Sequence, residues 1–446
     1  MRGKNFCAVS SESGEAPGMV ARPALTPVLE ALKKPKSWLL LGLGFSAGLP
    51  FLLVGATLGQ WLRHEGVSLT LIGVLSGVSL WYGAKVLWAP FMDKLRLPLL
   101  YDWLGQRRSY MLLAQMLVAL GLVLMAGFGP KHIGAFVAAG LLVAFAAASQ
   151  EIAIDAWRVE ETESDADQAL NPSFYNFGYR TGILVTNSLV LFLSDAIGWA
   201  PSYRAMAACM IIGVIATLAC PKTDAEARQS EAKTLDQLLI EPFVSFVREH
   251  AGAAVLILLF TAVYRLPDYV LGPVVGPMYQ DTGISNTAIG ALRGTIGLAA
   301  SYAGIALGGG CVLWLGLERA LWLGMATTFI SKLGFAWMSV AHGDLTVFTA
   351  VLVGDDLSNG VAETAIIAFM TRMTGRDFTL THYALLYSVM AFTGKVLKMF
   401  SGSIIDHFSP AMGLFPAYAT FFAGCAVVGL PAAFLLWQLQ RKSVLS

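Results

Sequence analysis

From Ser37 onward long apolar runs alternate with short polar breaks, and the runs predict membrane spans near 37–62, 69–92, 109–129, 133–157, 173–194 and 202–220. After a polar stretch, Pro221 to His250, six more follow near 252–277, 284–312, 318–341, 345–371, 380–405 and 413–438. Each run has about the 20 apolar residues that a helix needs to cross the hydrocarbon layer. The interruption falls in the middle, so the pattern predicts an all-α integral membrane protein of 12 transmembrane helices, with six-helix bundles at 37–220 and 252–438. That is the layout of a secondary transporter built from two parallel repeats.

Within the central segment 221–251, Leu235, Leu238, Leu239, Phe243 and Phe246 are spaced for an amphipathic helix along the membrane surface; a plain linker helix is the alternative. Residues 1–36, broken by Pro17, Pro23, Pro27 and Pro35, lack the apolar core of a signal peptide and read as a disordered tail, with 439–446 as a second tail.

Composition agrees with this pattern: of 446 residues 56% are hydrophobic and 13% charged, against about 25% charged in soluble domains. A net charge of +1 argues against nucleic acid as a partner. The five cysteines have no paired spacing, the six histidines are far apart, and no GxxxxGK[ST] loop occurs. Neither a metal, a cofactor nor an ATP-driven pump is therefore expected. Basic residues cluster at one set of span ends, among them Lys36, Lys94, Arg96, Arg107, Arg108, Arg158, Arg319, Arg372 and Arg441, against Arg63, Lys131 and Arg204 at the other. Both termini are accordingly expected in the cytoplasm.

Charges inside spans carry the functional reading, because each costs about 2.5–3.5 kcal/mol on insertion scales. Glu151 and Asp155 share one face of the fourth helix beside Gln150, near its cytoplasmic mouth; Asp356 and Glu363 share a face of the tenth, with Glu363 about as deep as Glu151. These four carboxylates are the candidate proton-coupling residues, the rival being fixed ion pairs with Lys85 or Arg180. Lys85, Arg180, Arg265 and Arg293, with Gln150 and Asp268, are candidates for holding an anionic solute; the rival is internal charge balance, and Arg265 and Asp268 are spaced to pair with each other. Lys332, in a peripheral ninth helix, reads as structural or snorkelling. Nine aromatic residues, including Trp61, Trp88, Tyr175 and Tyr264, read as interfacial anchors in preference to sugar-stacking platforms.

The loop after the second helix, APFMDKLRLPLLYDWLGQRRSY, places Asp93 and Lys94 ahead of Gly105, Arg107 and Arg108. It resembles the major facilitator loop motif, which implies a gating role for Asp93, Lys94, Arg107 and Arg108; positive-inside anchoring is the alternative. GFSAGLPF, GAKVLWAPFMD, AASQEIAIDAW, NFGYRTGILV, VYRLPDY and SNGVAETAIIAFMTRMTGRDFTLTHYALLYSV resemble the AmpG-type muropeptide permeases of that superfamily, which also embraces acetyl-CoA and siderophore carriers. Arg293 stands where that family commonly has Lys, and Asp355 and Asp356 where it has a Glu-Asn pair. The resemblance implies a major facilitator fold and a bacterial inner-membrane importer. Its expected partners are anhydro-muropeptide, protons and the lipid bilayer, and it is expected to act as a monomer. A receptor that binds without transporting remains the alternative from another class.

Overall fold

The computed structural model describes residues 35–85, 88–94, 96–98, 100–161, 165–222, 241–374, 379–442 and 444. The first 34 residues and most of the central loop, with Leu235, Leu238 and Leu239, lie outside the described residues. What is described is helical, in a layout consistent with twelve crossings. The first half holds α1 (Pro35–His64), α2 (Leu69–Tyr82, continued by Ala89–Lys94), α3 (Gln106–Phe128), α4 (Ile133–Glu160), α5 (Asn171–Ile197) and α6 (Trp199–Ala219). The second holds α7 (Ala254–Asp281), α8 (Asn286–Leu315), α9 (Leu317–Val340), α10 (Leu345–Arg372), α11 (Thr379–Leu397, continued by Ser401–Met412) and α12 (Leu414–Arg441). Eight of these are long and apolar enough by themselves to span a bilayer; α2, α9, α10 and α11 are interrupted or more polar.

Two helices break where the sequence forces them to. In α1 the helix opens at Val54 and Gly55, one turn beyond Pro50. In α7 it stops at Tyr264 and restarts at Leu266, with Pro267 in the new first turn, where a residue lacking an amide hydrogen removes no internal bond. That break leaves Arg265 at the joint and Asp268 in a first turn, where the amide dipoles favour a negative charge.

A close crossing joins α1 to α5. A Cβ on Gly44 or Gly48 would sit 2.1 or 2.2 Å from a carbonyl oxygen of α5, and one on Gly178 or Gly182 would sit 2.1 or 2.5 Å from a carbonyl oxygen of α1. Two small-xxx-small pairs thus let backbone meet backbone, a contact that packs well in lipid, where apolar burial gives helices no drive to associate.

The halves are bridged at the end of the molecule away from residues 35 and 441. Arg63 meets Asp281 at 2.7 Å, and Tyr418 donates to the same carboxylate at 2.6 Å. Beside them sits a repeated clasp. Ser68 caps the start of α2, and Asp406 of α11 accepts from the backbone N–H and hydroxyl of Thr70, both at 2.7 Å. Ser285 caps the start of α8, and Asp195 of α5 accepts from the N–H and hydroxyl of Thr287 at 2.7 and 2.8 Å. One turn on, Gly73 lies against the carbonyl of Met399, and Gly290 against that of Ser188. The pattern S-x-T-x-I-G, at 68–73 and again at 285–290, encodes the same device in both halves.

At the opposite end, Glu241–His250 forms a helix whose Phe246 is wholly buried between His250 and His382. It therefore packs on the start of α11, not merely along the lipid surface. Several aromatic residues read as interfacial are core instead. Trp61 lies 2% exposed among Phe136, Trp199 and Tyr203, and Tyr175 and Tyr264 are buried, because ring edges and faces fill the angular gaps between crossing helices.

Candidate functional site

The four-residue spacing on α4 puts Glu151 and Asp155 toward the space between the halves. Lys85 of α2 binds Glu151 at 2.9 Å, while Arg158 meets Asp155 at 3.1 Å and covers the ring of Tyr175. Tyr387 and Lys395 of α11 come from the other half into electrostatic reach of the Lys85–Glu151 pair. Tyr387, itself half exposed, is also within reach of Glu363 and Arg265. A cluster of charged and phenolic groups from α2, α4, α7, α10 and α11 thus surrounds one cleft. Gln150 is not part of it: fully buried, it donates to Ser46 of α1 at 2.7 Å and ties α4 to α1.

In the second half the break in α7 seeds a buried ionic network. Arg265 contacts Asp268 at 3.1 Å as a charge contact and not as an aligned hydrogen bond. Lys332 of α9, wholly inaccessible, reaches Asp268 at 2.6 Å and Asp355 of α10 at 2.7 Å. Asp355 also accepts from Ser331 at 2.5 Å and Asn359 at 2.9 Å. Two cations and two carboxylates therefore neutralise each other within the bundle. Of the two expectations for Lys332, the structural one holds and snorkelling does not, since its ammonium points into the bundle. Its partners come from α7 and α10, beyond the reach of any spacing argument on α9 alone.

A separate recess of ≈ 320 Å³ opens between α5 and α8. Arg180 and Asn187 line it from the first half, Arg293, Ser301 and Tyr302 from α8, and Asp356 from α10. Asp356 shares the recess with Ser301 and is in electrostatic reach of Arg293, and no cation lies within ion-pair distance of it among the described residues. Both walls are π-helical at this level, Val185–Leu189 on α5 and Arg293–Gly297 on α8, a wide turn that recurs at functional sites. A larger groove of ≈ 860 Å³ between α8, α9 and α10 is lined by Leu307, Leu323, Ile330 and Trp337. Its exposed apolar lining faces outward, as lipid contact requires.

The profile of the Major Facilitator Superfamily matches residues 39–378. The anhydromuropeptide permease of Escherichia coli K12 is 30% identical over 412 residues, 92% of this chain and 80% of that protein. The chain belongs to the major facilitator superfamily, among its AmpG-type permeases. A putative transporter AmpG 4 of Rickettsia conorii is 25% identical across 90% of the chain and 95% of its own length. Among solved structures, a bacterial homologue of the human lysosomal transporter Spinster, crystallised inward-facing and unoccupied, superposes with a TM-score of 0.67 at 16% identity, covering 94% of this chain and 98% of that one. The chain is thus a multi-pass secondary transporter of the major facilitator type.

In this transporter the side chains of Asp93 and Lys94 lie outside the described residues. Arg107 pairs with Glu160 at 2.8 Å, and Arg108 donates to the last carbonyls of α6, those of Thr217 and Leu218. Both contacts are made inside the first half, and Arg108 meets the carbonyl end of a helix, where a cation is favoured. Among the described residues the polar bridges between halves are at the opposite end, in groups that the motif search missed: Arg63, Asp195, Asp281 and Asp406. The repeated S-x-T-x-I-G was their signal, visible only when the two halves are laid over each other.

Proposed function

We propose that the transporter imports anhydro-muropeptides across the bacterial inner membrane, driven by protons, by alternating access between the two halves. The observation that carries this reading is the 30% identity, over nearly the whole chain, to a permease named for that substrate. The chemistry between the halves supports it, because Arg180 and Arg293 in the recess suit a solute bearing carboxylates and tyrosines such as Tyr387 suit its sugar rings. The end rich in Lys and Arg is taken as cytoplasmic. With the halves bridged at the other end, the state described opens inward.

Glu151 and Asp155 each hold a cation, whereas Asp356 and Glu363 have none within ion-pair distance among the described residues. Asp356 and Glu363 are therefore the proton carriers in this reading, and the Lys85–Glu151 pair is the structural one. Arg63–Asp281 and the two clasps act as the outer gate; Asp93, Lys94, Arg107 and Arg108 form the inner one once the halves rock. The chain acts as a monomer, with both termini in the cytoplasm.

The test is uptake of labelled anhydro-muropeptide into proteoliposomes, with and without an inward proton gradient, beside acetyl-CoA and a ferric siderophore. Gradient-dependent muropeptide accumulation is expected. Uptake of one of the other two instead would keep the carrier and remove the muropeptide.

A further inference from the structure

We propose that the recess between α5 and α8 is the subsite for a carboxylate of the substrate, gripped jointly by Arg180 of one half and Arg293 of the other. This rests on the anionic sugar-peptide reading above and adds the place and chemistry of its recognition. A recess of ≈ 320 Å³ is too small for a disaccharide-peptide, being at the bottom of the range of about 300–1,000 Å³ that holds whole small ligands. It suits one acidic end, with the bulk of the solute left in the central cleft.

The charge balance fits. Two guanidinium groups face a single carboxylate, Asp356, so the recess carries an excess positive charge that an anion would neutralise, and each planar fork can hold a carboxylate through two bonds. The backbone is shaped for close approach: a Cβ on Gly294 would lie 2.7 Å from Ser188 Oγ, and one on Gly297 would lie 2.9 Å from Asp356 Oδ2. Ser188, on the π-helical wall of α5, is buried and its hydroxyl has no hydrogen-bond partner among the described residues, leaving a donor beside the recess. Because its cations come from opposite halves, an anion held here bridges them at the two wide turns, and its arrival bears directly on how the halves sit together.

The test compares uptake of anhydro-muropeptide with free peptide carboxylates against the same compound with those groups amidated, in wild type, Arg180→Gln, Arg293→Gln and the matching Lys variants. Wild type should prefer the free acid. Each Gln variant should raise KM for the acid by about tenfold or more, the weight of a charge-assisted hydrogen bond, and leave the amide unchanged; retained amide uptake shows that the variant is folded. Should a Gln variant fail to fold, the Lys variant, with charge but no fork, should lose part of the preference. If wild type carries the muropeptide but the variants discriminate as it does, or lose acid and amide in parallel, the recess is not the carboxylate site. Wild type that carries neither compound removes the muropeptide reading, and this subsite with it.

Discussion

The two halves bury their polar groups in opposite ways. In the first, the wholly buried bonds are neutral, Gln150 to Ser46 and Thr217 to Gln115 at 3.0 Å across α1, α3, α4 and α6, while the ion pairs Lys85–Glu151 and Arg107–Glu160 are partly exposed. In the second, α7, α9 and α10 are held by Arg265, Asp268, Lys332 and Asp355, all of them charged. Neutral groups keep their bonds at any pH and are indifferent to a passing charge. An ionic network in a dry bundle holds only while every partner keeps its charge, so its geometry responds to a proton or an anion nearby. Asp355, Asn359 and Glu363 follow at four-residue intervals along α10, and Asp356 opens into the recess, so the second half connects its ionic interior to the cleft along one helix.

The largest expected effect follows from breaking the ionic network. Lys332→Met leaves Asp268 with Arg265 alone and takes from Asp355 its cation, and removing one partner of such a network destabilises by about 3–5 kcal/mol. Thermal unfolding in detergent should show a large drop in midpoint, with low yield of folded protein. Replacing Arg265, Asp268, Lys332 and Asp355 together by Gln, Asn, Met and Asn should be milder than the single change, since no charge of the network is then left alone.

Next in size is the outer clasp. Asp406→Asn weakens two charge-assisted bonds to the start of α2, together about 1.5–3 kcal/mol, or at least tenfold in the balance between the two facing states. Labelling of a cysteine placed near residue 66 by an impermeant thiol reagent should rise. Asp195→Asn, at the equivalent position, should act in the same direction, and opposite responses would break the symmetry claimed for the clasps.

A sharper division concerns coupling. Asp356→Asn and Glu363→Gln should reduce uptake to the level set by the substrate gradient alone, with counterflow exchange intact, whereas Glu151→Gln should keep the response to pH while losing the charge that pairs with Lys85. The smallest effect is expected in the neutral set: Ser46→Ala removes one neutral acceptor, worth about 1 kcal/mol, and transport should be retained with a slightly lower unfolding midpoint.

How far the sequence led differs between these features for physical reasons. Helix positions were legible because a bilayer demands long apolar runs, and apart from the far end of α11, which runs on to Met412, the helices begin and end close to the predicted limits. The break at Arg265 was legible from Pro267, and the Arg265–Asp268 pair from its three-residue spacing. For Lys332 the structural alternative holds and snorkelling does not, and its partners were out of view because helix spacing reports which residues share a face and not which helix that face meets. Gln150 was grouped with its neighbours Glu151 and Asp155, yet one step along a helix is a turn of about 100°, enough to take it out of the cleft into the contact with α1. The recess was beyond a one-helix reading altogether, since Arg180 and Arg293 are brought together only by the packing of α5 on α8.

The most direct measurement follows internal pH in proteoliposomes, with a trapped dye, as anhydro-muropeptide is added outside. Wild type should acidify the interior with substrate, Glu151→Gln should do likewise, and Asp356→Asn should carry substrate downhill without acidification. If Asp356→Asn and Glu363→Gln both acidified like wild type while Glu151→Gln did not, coupling would lie in the first half, and the division of labour drawn between the halves would be wrong.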